Sequence, residues 1–158
     1  MIPCLTAVAT GDLEITLTRD FNAAPALLWR ALTDPQIVPR WLWSHVAPMT
    51  ACDMDLRPGG HFRWVWTRQD GNPMGVSGRF LTVDAPHLLV HTEVFDEDWT
   101  DGESTVTQTL TEIAPHITRL TMVVRYATTK GRDAALGSAM AEGMEEAYAK
   151  LDTMFTAL

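Results

Sequence analysis

Two residues, His91 and Glu93, combine the side-chain types and the spacing that acid–base chemistry requires. The sequence around them alternates with period two, which predicts a β-strand over residues 87–95 with both side chains on one face, about 6.6 Å apart along the strand. A carboxylate in an apolar cavity holds its proton more tightly than in water, and a neighbouring imidazole can act as acid or base. His91 and Glu93 are therefore the candidate catalytic pair if their face points inward.

The other face of this predicted strand is an equally good candidate for burial. It carries Leu88, Val90, Thr92 and Val94, three of which are apolar. If that face is buried, His91 and Glu93 point to solvent. A third alternative is that the two residues form a buried pair in the core whose polar groups satisfy each other's hydrogen bonds.

The six tryptophans are the most conspicuous feature of the composition. Trp64 and Trp66 share one face of a predicted strand with Phe62, whereas Trp29 is predicted to fill the core. Aromatic walls with a few polar groups are typical of small-molecule sites. A pocket-lining role is therefore an equal alternative to core packing for four of the tryptophans: Trp41, Trp43, Trp64 and Trp66.

Metal and cofactor chemistry finds no support in the sequence. His87 and His91 are four strand steps apart, about 13 Å, which is too far to share one ion. The acidic segment 96–103 lacks the ligand spacing of a calcium loop, so it is predicted to be a solvated loop. Glycine-rich phosphate loops and serine or cysteine nucleophile motifs are also missing. We therefore expect neither a metal nor a cofactor.

The residues that could do chemistry must be positioned by a sheet and a helix. Residues 133–158 carry an apolar stripe at helical spacing and predict one long helix. Before it, the period is two for about 75 residues, and six strands are predicted at 49–56, 61–68, 74–84, 87–95, 103–113 and 117–127. Their short connections favour antiparallel pairing. In the turn at 57–60, Arg57 is expected to pair with Asp53 or Asp55.

The first third of the chain completes the predicted α+β fold. Residues 1–12 are expected to form a poorly ordered leader, and residues 13–158 a single domain. A strand is predicted at 13–21, followed by a helix from Pro25 to Thr33 and a short helix beginning at Asp34-Pro35. The result is a curved seven-stranded antiparallel sheet around a long C-terminal helix, with two short helices after the first strand.

Charge and composition exclude several classes of function. The net charge of −8 is opposite to what binding to nucleic acid or to an anionic membrane requires. No apolar run approaches the ~20 residues of a membrane span, and the N-terminus lacks the basic region of a signal peptide. The expected compartment is the cytoplasm, with Cys4 and Cys52 as free thiols. The sequence does not distinguish a monomer from a homodimer.

Several motifs, in order, resemble one known family. Residues 21–35 read FNAAPALLWRALTDP, and residues 53–62 read DMDLRPGGHF. Weaker similarities follow at 75–80 (GVSGRF) and 86–92 (PHLLVHT), and the tryptophan at the end of the second predicted helix also matches. Together they resemble the activator of heat-shock-protein-90 ATPase homologue-like family of the START-like (SRPBCC) superfamily.

This resemblance implies a helix-grip fold and a small apolar or amphipathic ligand between the long helix and the sheet. It also favours residues 89, 91, 93 and 95 as the inward face of their strand. Two alternatives follow: a cavity enzyme of the cyclase or aromatase type that uses His91 and Glu93, and a partner that stimulates a chaperone ATPase. The expected ligand-binding residues are Trp41, Trp43, Trp64, Trp66, Phe80, His91, Glu93, Tyr126, Met140, Met144 and Tyr148.

Overall fold

The computed structural model describes residues 4–158 and shows an α+β fold. Eight strands form one antiparallel sheet in the order β1-β2-β8-β7-β6-β5-β4-β3. The strands are β1 Thr6–Thr10, β2 Glu14–Phe21, β3 Met49–Met54, β4 His61–Thr67, β5 Pro73–Asp84, β6 Leu88–Phe95, β7 Ser104–Ala114 and β8 Ile117–Arg125. The helices are α1 Pro25–Thr33, α2 Val38–Trp41, α3 Thr129–Leu136 and α4 Met140–Asp152, with a 3₁₀ turn at Phe155–Ala157.

The eighth strand, β1, lies where the sequence predicts a disordered leader. It pairs with β2 from Thr6↔Thr18 to Thr10↔Glu14, and the hairpin turn uses Gly11 at a φ of 59°. The leader prediction was wrong for these residues because β1 is a sheet edge whose side chains are exposed or half-buried. A strand with no buried face does not need the alternation by which strands are recognised. Residues 1–3 lie outside the described part of the chain.

The predicted 133–158 helix is divided into three pieces. Helix α3 ends at Leu136, and the Ser138 hydroxyl donates to the carbonyl of Ala135 (2.6 Å) and accepts from the Met140 amide (3.2 Å). These local bonds replace helical ones, which is the usual effect of serine near a helix end. The long C-terminal helix held by the sheet is therefore α4. No helix in the described range 4–158 is long and apolar enough to cross a membrane.

The second short helix begins later than the sequence indicates. Residues 35–37 form a turn in which the Asp34 carboxylate accepts from the Gln36 amide at 2.8 Å. Pro39 therefore lies in the first turn of α2 rather than in its interior, where it removes no helical hydrogen bond. In the turn after β3, Arg57 pairs with Asp55 at 2.8 Å, one of its two expected partners.

Helix α4 is fixed to the sheet by aromatic contacts and by one buried charge. The Tyr148 ring meets Phe21 edge-on at 5.2 Å and stacks on Trp41 at 5.7 Å. Arg19 points inward from β2 and is 3% exposed. Its guanidinium bonds Glu145 at 2.7 Å and Asp152 at 2.8 Å. These contacts hold α4 against β2 and α2 from Glu145 to Asp152.

Candidate functional site

The concave face of the sheet does not close fully on α4. Between them lies a cavity of about 620 Å³ with a mainly apolar wall. It extends from the segment after α2, across β4 to β8, to the N-terminal half of α4. Of the predicted ligand-binding residues, ten line it: Trp41, Trp43, Trp64, Trp66, His91, Glu93, Tyr126, Met140, Met144 and Tyr148.

His91 and Glu93 lie on the inward face of β6. Leu89 and His91 are each 2% exposed, and Phe95 also reaches the cavity wall, whereas Val94 on the other face is 41% exposed. Nε2 of His91 lies 3.3 Å from Oε2 of Glu93. The pair is therefore formed inside the cavity and not on the surface.

Phe80 is the predicted site residue that does not line the cavity. It is 1% exposed and sits opposite His91 in the β5–β6 pairing, next to an irregularity in register. The His91 ring contacts Phe80 at 6.2 Å and Phe62 at 5.2 Å, both edge-on. Phe80 therefore packs beside the imidazole as part of the core, and the expectation that it faces the cavity was wrong.

Two buried ring nitrogens of the cavity wall have no hydrogen-bond partner within residues 4–158. They are Nδ1 of His91 and Nε1 of Trp64. By contrast, the indole nitrogens of Trp41 and Trp66 each donate to a backbone carbonyl at 2.9 Å. An unsatisfied buried polar atom costs about 1–3 kcal/mol. Such atoms are rare in folded proteins, and here both belong to one site.

Sequence reasoning missed a second group of polar side chains in the wall. Ser104 and Gln108 point inward from β7 on either side of Val106 and are 2% and 8% exposed. They are neighbours of Glu93 and Leu89 in the β6–β7 pairing. The period-two alternation of β7 could have shown that 104, 106 and 108 share one face, although not that this face is inward.

Two tyrosines complete the site. Tyr126 follows β8 and donates its hydroxyl to the Met140 sulfur at 3.8 Å. Burial, and secondarily the charge of Glu93, raises the pKa of the Tyr126 phenol well above its ordinary value. Burial likewise raises the pKa of Tyr148. Both phenols therefore remain neutral in the physiological range and can donate a hydrogen bond.

The segment after α2 covers one end of the cavity. Trp43 adopts a φ of 55°, and its ring stacks on His45 at 5.6 Å. Ser44 accepts from Lys150 at 2.8 Å, and His45 lies 3.4 Å from Glu146. These contacts attach the segment to α4.

The charged residues of the cavity wall lie mainly at its exposed rim. Arg68, Asp96 and Glu97 are all exposed. Asp96 pairs with Arg63 through two hydrogen bonds of 2.6 and 2.8 Å. The guanidinium of Arg63 lowers the pKa of the Asp96 carboxyl. No trio of His, Cys, Asp or Glu within residues 4–158 is arranged to hold a metal ion.

Solved structures of similar proteins share this architecture. A protein from Rhodobacter sphaeroides is 42% identical, with a TM-score of 0.92 over 98% of this chain and 99% of that chain. Protein Ms6760 from Mycobacterium smegmatis is 29% identical, with a TM-score of 0.83 over 97% of this chain and 98% of that chain. CalU16 from Micromonospora echinospora shares the fold: it is 23% identical, with a TM-score of 0.63 over 98% of this chain and 85% of that chain. No curated protein matches the chain.

A family profile gives the assignment. The family described as activator of Hsp90 ATPase homolog 1-like protein matches residues 22–156. This range contains both short helices, β3 to β8 and α4, and therefore nearly the whole cavity wall. With its curved sheet around α4, the chain belongs to the activator of Hsp90 ATPase homolog 1-like family and has that family's START-like helix-grip fold.

Proposed function

We propose that the protein binds one small amphipathic molecule in the cavity between α4 and the sheet. The observation that carries this proposal is the cavity itself. Its volume of about 620 Å³ falls within the range of about 300–1,000 Å³ of small-molecule sites, and its apolar wall with few polar groups has their composition.

The arrangement of the wall supports an amphipathic ligand over a purely apolar one. His91, Glu93, Ser104 and Gln108 place polar atoms on neighbouring positions of β6 and β7. Met140 and Met144 on α4 offer an adaptable apolar surface. A ligand with one polar end and one apolar body meets matching groups at both ends.

Native mass spectrometry of the purified protein, before and after mild organic extraction, tests the proposal. We expect a bound mass of a few hundred daltons, or saturable binding of Nile red after extraction. Met140→Trp fills part of the cavity and should abolish either signal. Leu136→Trp adds the same indole at an exposed position outside the wall and should leave it unchanged. Wild-type protein that carries no mass and does not bind Nile red would contradict the proposal.

The second candidate function is catalysis, and the 3.3 Å approach of His91 to Glu93 inside the cavity favours it. A buried imidazole–carboxylate pair can move a proton to or from a bound molecule. This candidate predicts that the bound compound changes in mass or absorbance on incubation with wild-type protein. His91→Asn should retain binding and stop the change. Binding without conversion in both proteins would reject it.

Two broader expectations remain predictions. The family description refers to an Hsp90 ATPase, so we infer a chaperone partner as the remaining alternative. It predicts that this protein stimulates a chaperone ATPase at micromolar concentrations.

We also expect the protein to act in the cytoplasm, as a monomer or a homodimer. Fractionation and light scattering would test compartment and assembly.

A further inference from the structure

Negatively charged side chains outnumber positively charged ones in the cavity wall. Glu93 is the carboxylate of its interior, and its side chain is 20% exposed. Oε2 faces His91, whereas Oε1 accepts no hydrogen bond from the described residues. Among the described residues of the wall, Arg68 is the one arginine or lysine, and it is exposed, as are Asp96 and Glu97. The interior thus presents an acceptor without a fixed cation.

The buried arginines of the described residues, Arg19 and Arg132, do not serve this carboxylate, because both lie outside the cavity wall. The guanidinium of Arg19 is bound to Glu145 and Asp152. That of Arg132 is bound to Asp133 and to the carbonyl of Gly11. A carboxylate removed from water is costly unless a partner of opposite charge or several donors face it. The available partners within the protein are the His91 imidazole and neutral donors of the wall.

Aromatic side chains share the cavity wall with Glu93. Trp64, Trp66, Tyr126 and Tyr148 all line the same cavity. The faces of such rings attract cations, tryptophan most strongly, and the attraction grows when water is excluded. A carboxylate within an aromatic cavity is a site for a positively charged nitrogen, and it repels an anion.

We propose that the ligand carries a protonated amine, with its ammonium group at Glu93 and its apolar body along Trp66, Met140 and Met144. This inference rests on the proposed function and names its ligand class. The His91 contact fixes Oε2, so Oε1 is the acceptor for the ammonium group. Asp96 and Glu97 at the rim, together with a net charge of −8, favour the approach of a cation.

Three probes with the same ten-carbon chain isolate the head group: decylamine, decanol and decanoate. Binding is measured on extracted protein at pH 7 by displacement of Nile red, below the micelle concentration of each probe. We expect decylamine to bind about tenfold or more tighter than decanol, the factor expected of one hydrogen bond to a charged group. Decanoate should bind more weakly than decanol.

Glu93→Gln should remove the preference for decylamine, because it removes the charge from the acceptor. Saturable binding of decanol or Nile red to the variant shows that it is folded. Glu103→Gln is the matched control, because it deletes the same charge from an exposed residue on the outer face of the sheet. It should retain the preference. If Glu93→Gln does not fold, Glu93→Asp, which keeps the charge on a shorter side chain, should reduce the preference.

The outcomes separate the two proposals. If neither Nile red nor any of the three probes binds, the proposal that the cavity holds a small molecule fails. If decanol or decanoate binds as tightly as decylamine, the inference of an amine ligand is overturned, whereas the proposal that the cavity holds a small molecule is supported. Equal decanol and decylamine affinities would show that His91 already neutralises Glu93. A decylamine preference that survives Glu93→Gln would also overturn the inference, since it would show binding to the acidic surface.

Discussion

At the scale of single residues, Gly143 shows how closely the segment after α2 approaches α4. A Cβ atom at this position would lie 2.1 Å from Cζ3 and 2.3 Å from Cη2 of Trp43. Glycine in a helix interior is otherwise unfavourable by about 1 kcal/mol relative to alanine. The indole therefore occupies the space that a side chain at 143 would need, and α4 retains glycine where helix propensity alone favours alanine.

Gly143→Ala should lower the free energy of unfolding by about 1–3 kcal/mol, because the added methyl forces the Trp43 ring to move. In the Trp43→Ala background, Gly143→Ala should raise the free energy of unfolding by up to about 1 kcal/mol, because the clash is gone and only the gain in helix propensity remains. Urea unfolding of the four proteins measures both differences. An effect of equal size and sign in both backgrounds would show that the two residues do not interact.

The residues of the site were only partly predictable from sequence. Period-two alternation placed His91 and Glu93 on one face, but the other face of their strand is the more apolar one. The pattern alone therefore did not show which face is inward, whereas the family resemblance favoured the correct one. Ser104 and Gln108 were missed because threonines alternate with them in β7. Polarity therefore does not distinguish the two faces. Phe80 was assigned to the cavity because an apolar ring fits a core and a pocket wall equally well.

At the scale of elements, β2 and β8 are joined by two cross-strand ion pairs of different quality. Arg119 holds Asp20 through hydrogen bonds of 2.8 and 3.1 Å. Arg125 approaches Glu14 only to 3.7 Å. The hydrogen bond from Arg119 lowers the pKa of the Asp20 carboxyl. The Asp20–Arg119 pair therefore contributes to stability in a way that depends on the protonation of Asp20.

Arg119→Met should destabilise the protein at pH 7. In acid, the difference in stability between the variant and wild type should disappear. Asp20 has a lower pKa folded than unfolded, so its contribution is complete above the unfolded value of about 4. It disappears as the pH falls through the folded pKa. The difference in melting temperature between wild type and variant should therefore shrink below about pH 4.

Arg125→Met is the matched control, since it removes the same charge from the same strand. Its difference in melting temperature from wild type should be smaller, because the 3.7 Å approach of Arg125 to Glu14 is longer than a hydrogen bond. Parallel pH profiles for the two variants would contradict the assignment of the pH dependence to Asp20.

Elements were predicted well where burial imposes a pattern and poorly where it does not. The six strands from β3 to β8 lie within two residues of their predicted bounds. Five of them have buried residues, and the edge strand β3 packs half-buried Met49, Cys52 and Met54 against the core. β1 was missed because its neighbour β2 alone supports it at the sheet edge. The division between α3 and α4 depends on the two side-chain hydrogen bonds of Ser138, and an apolar stripe carries no information about them.

At the scale of the whole molecule, the sheet and α4 enclose more space than their side chains fill. Protein interiors are normally packed to the density of organic crystals, so an apolar cavity of about 620 Å³ is a departure from the usual core. The sequence predicted that a curved sheet gripping a helix leaves a pocket. It could not predict the volume, which depends on the height of α4 above the sheet and hence on contacts distant in sequence.

Removal of the bound molecule should lower the melting temperature. A ligand at about 100 times its dissociation constant stabilises the folded state by about 2.7 kcal/mol, or about 5–10 °C for a domain of this size. Calorimetry of the protein before and after extraction measures the loss, and decylamine should restore it. Met140→Trp should show neither change. A melting temperature unaffected by extraction, in protein shown by mass spectrometry to have lost a ligand, would contradict this prediction.

The ion cluster of Arg19 lies on a different face of α4 from the methionines of the cavity wall. Glu145 and Asp152 are seven residues apart, about two helical turns, so they share the face that anchors α4 to β2. Met140 and Met144, four residues apart on a neighbouring face, line the cavity. Substitutions at 140 and 144 change the shape of the cavity without breaking the anchor. The proposed ligand site therefore predicts that relatives differ in what they bind while they keep the same fold, and comparing positions 140 and 144 across the family is a way to sort its members.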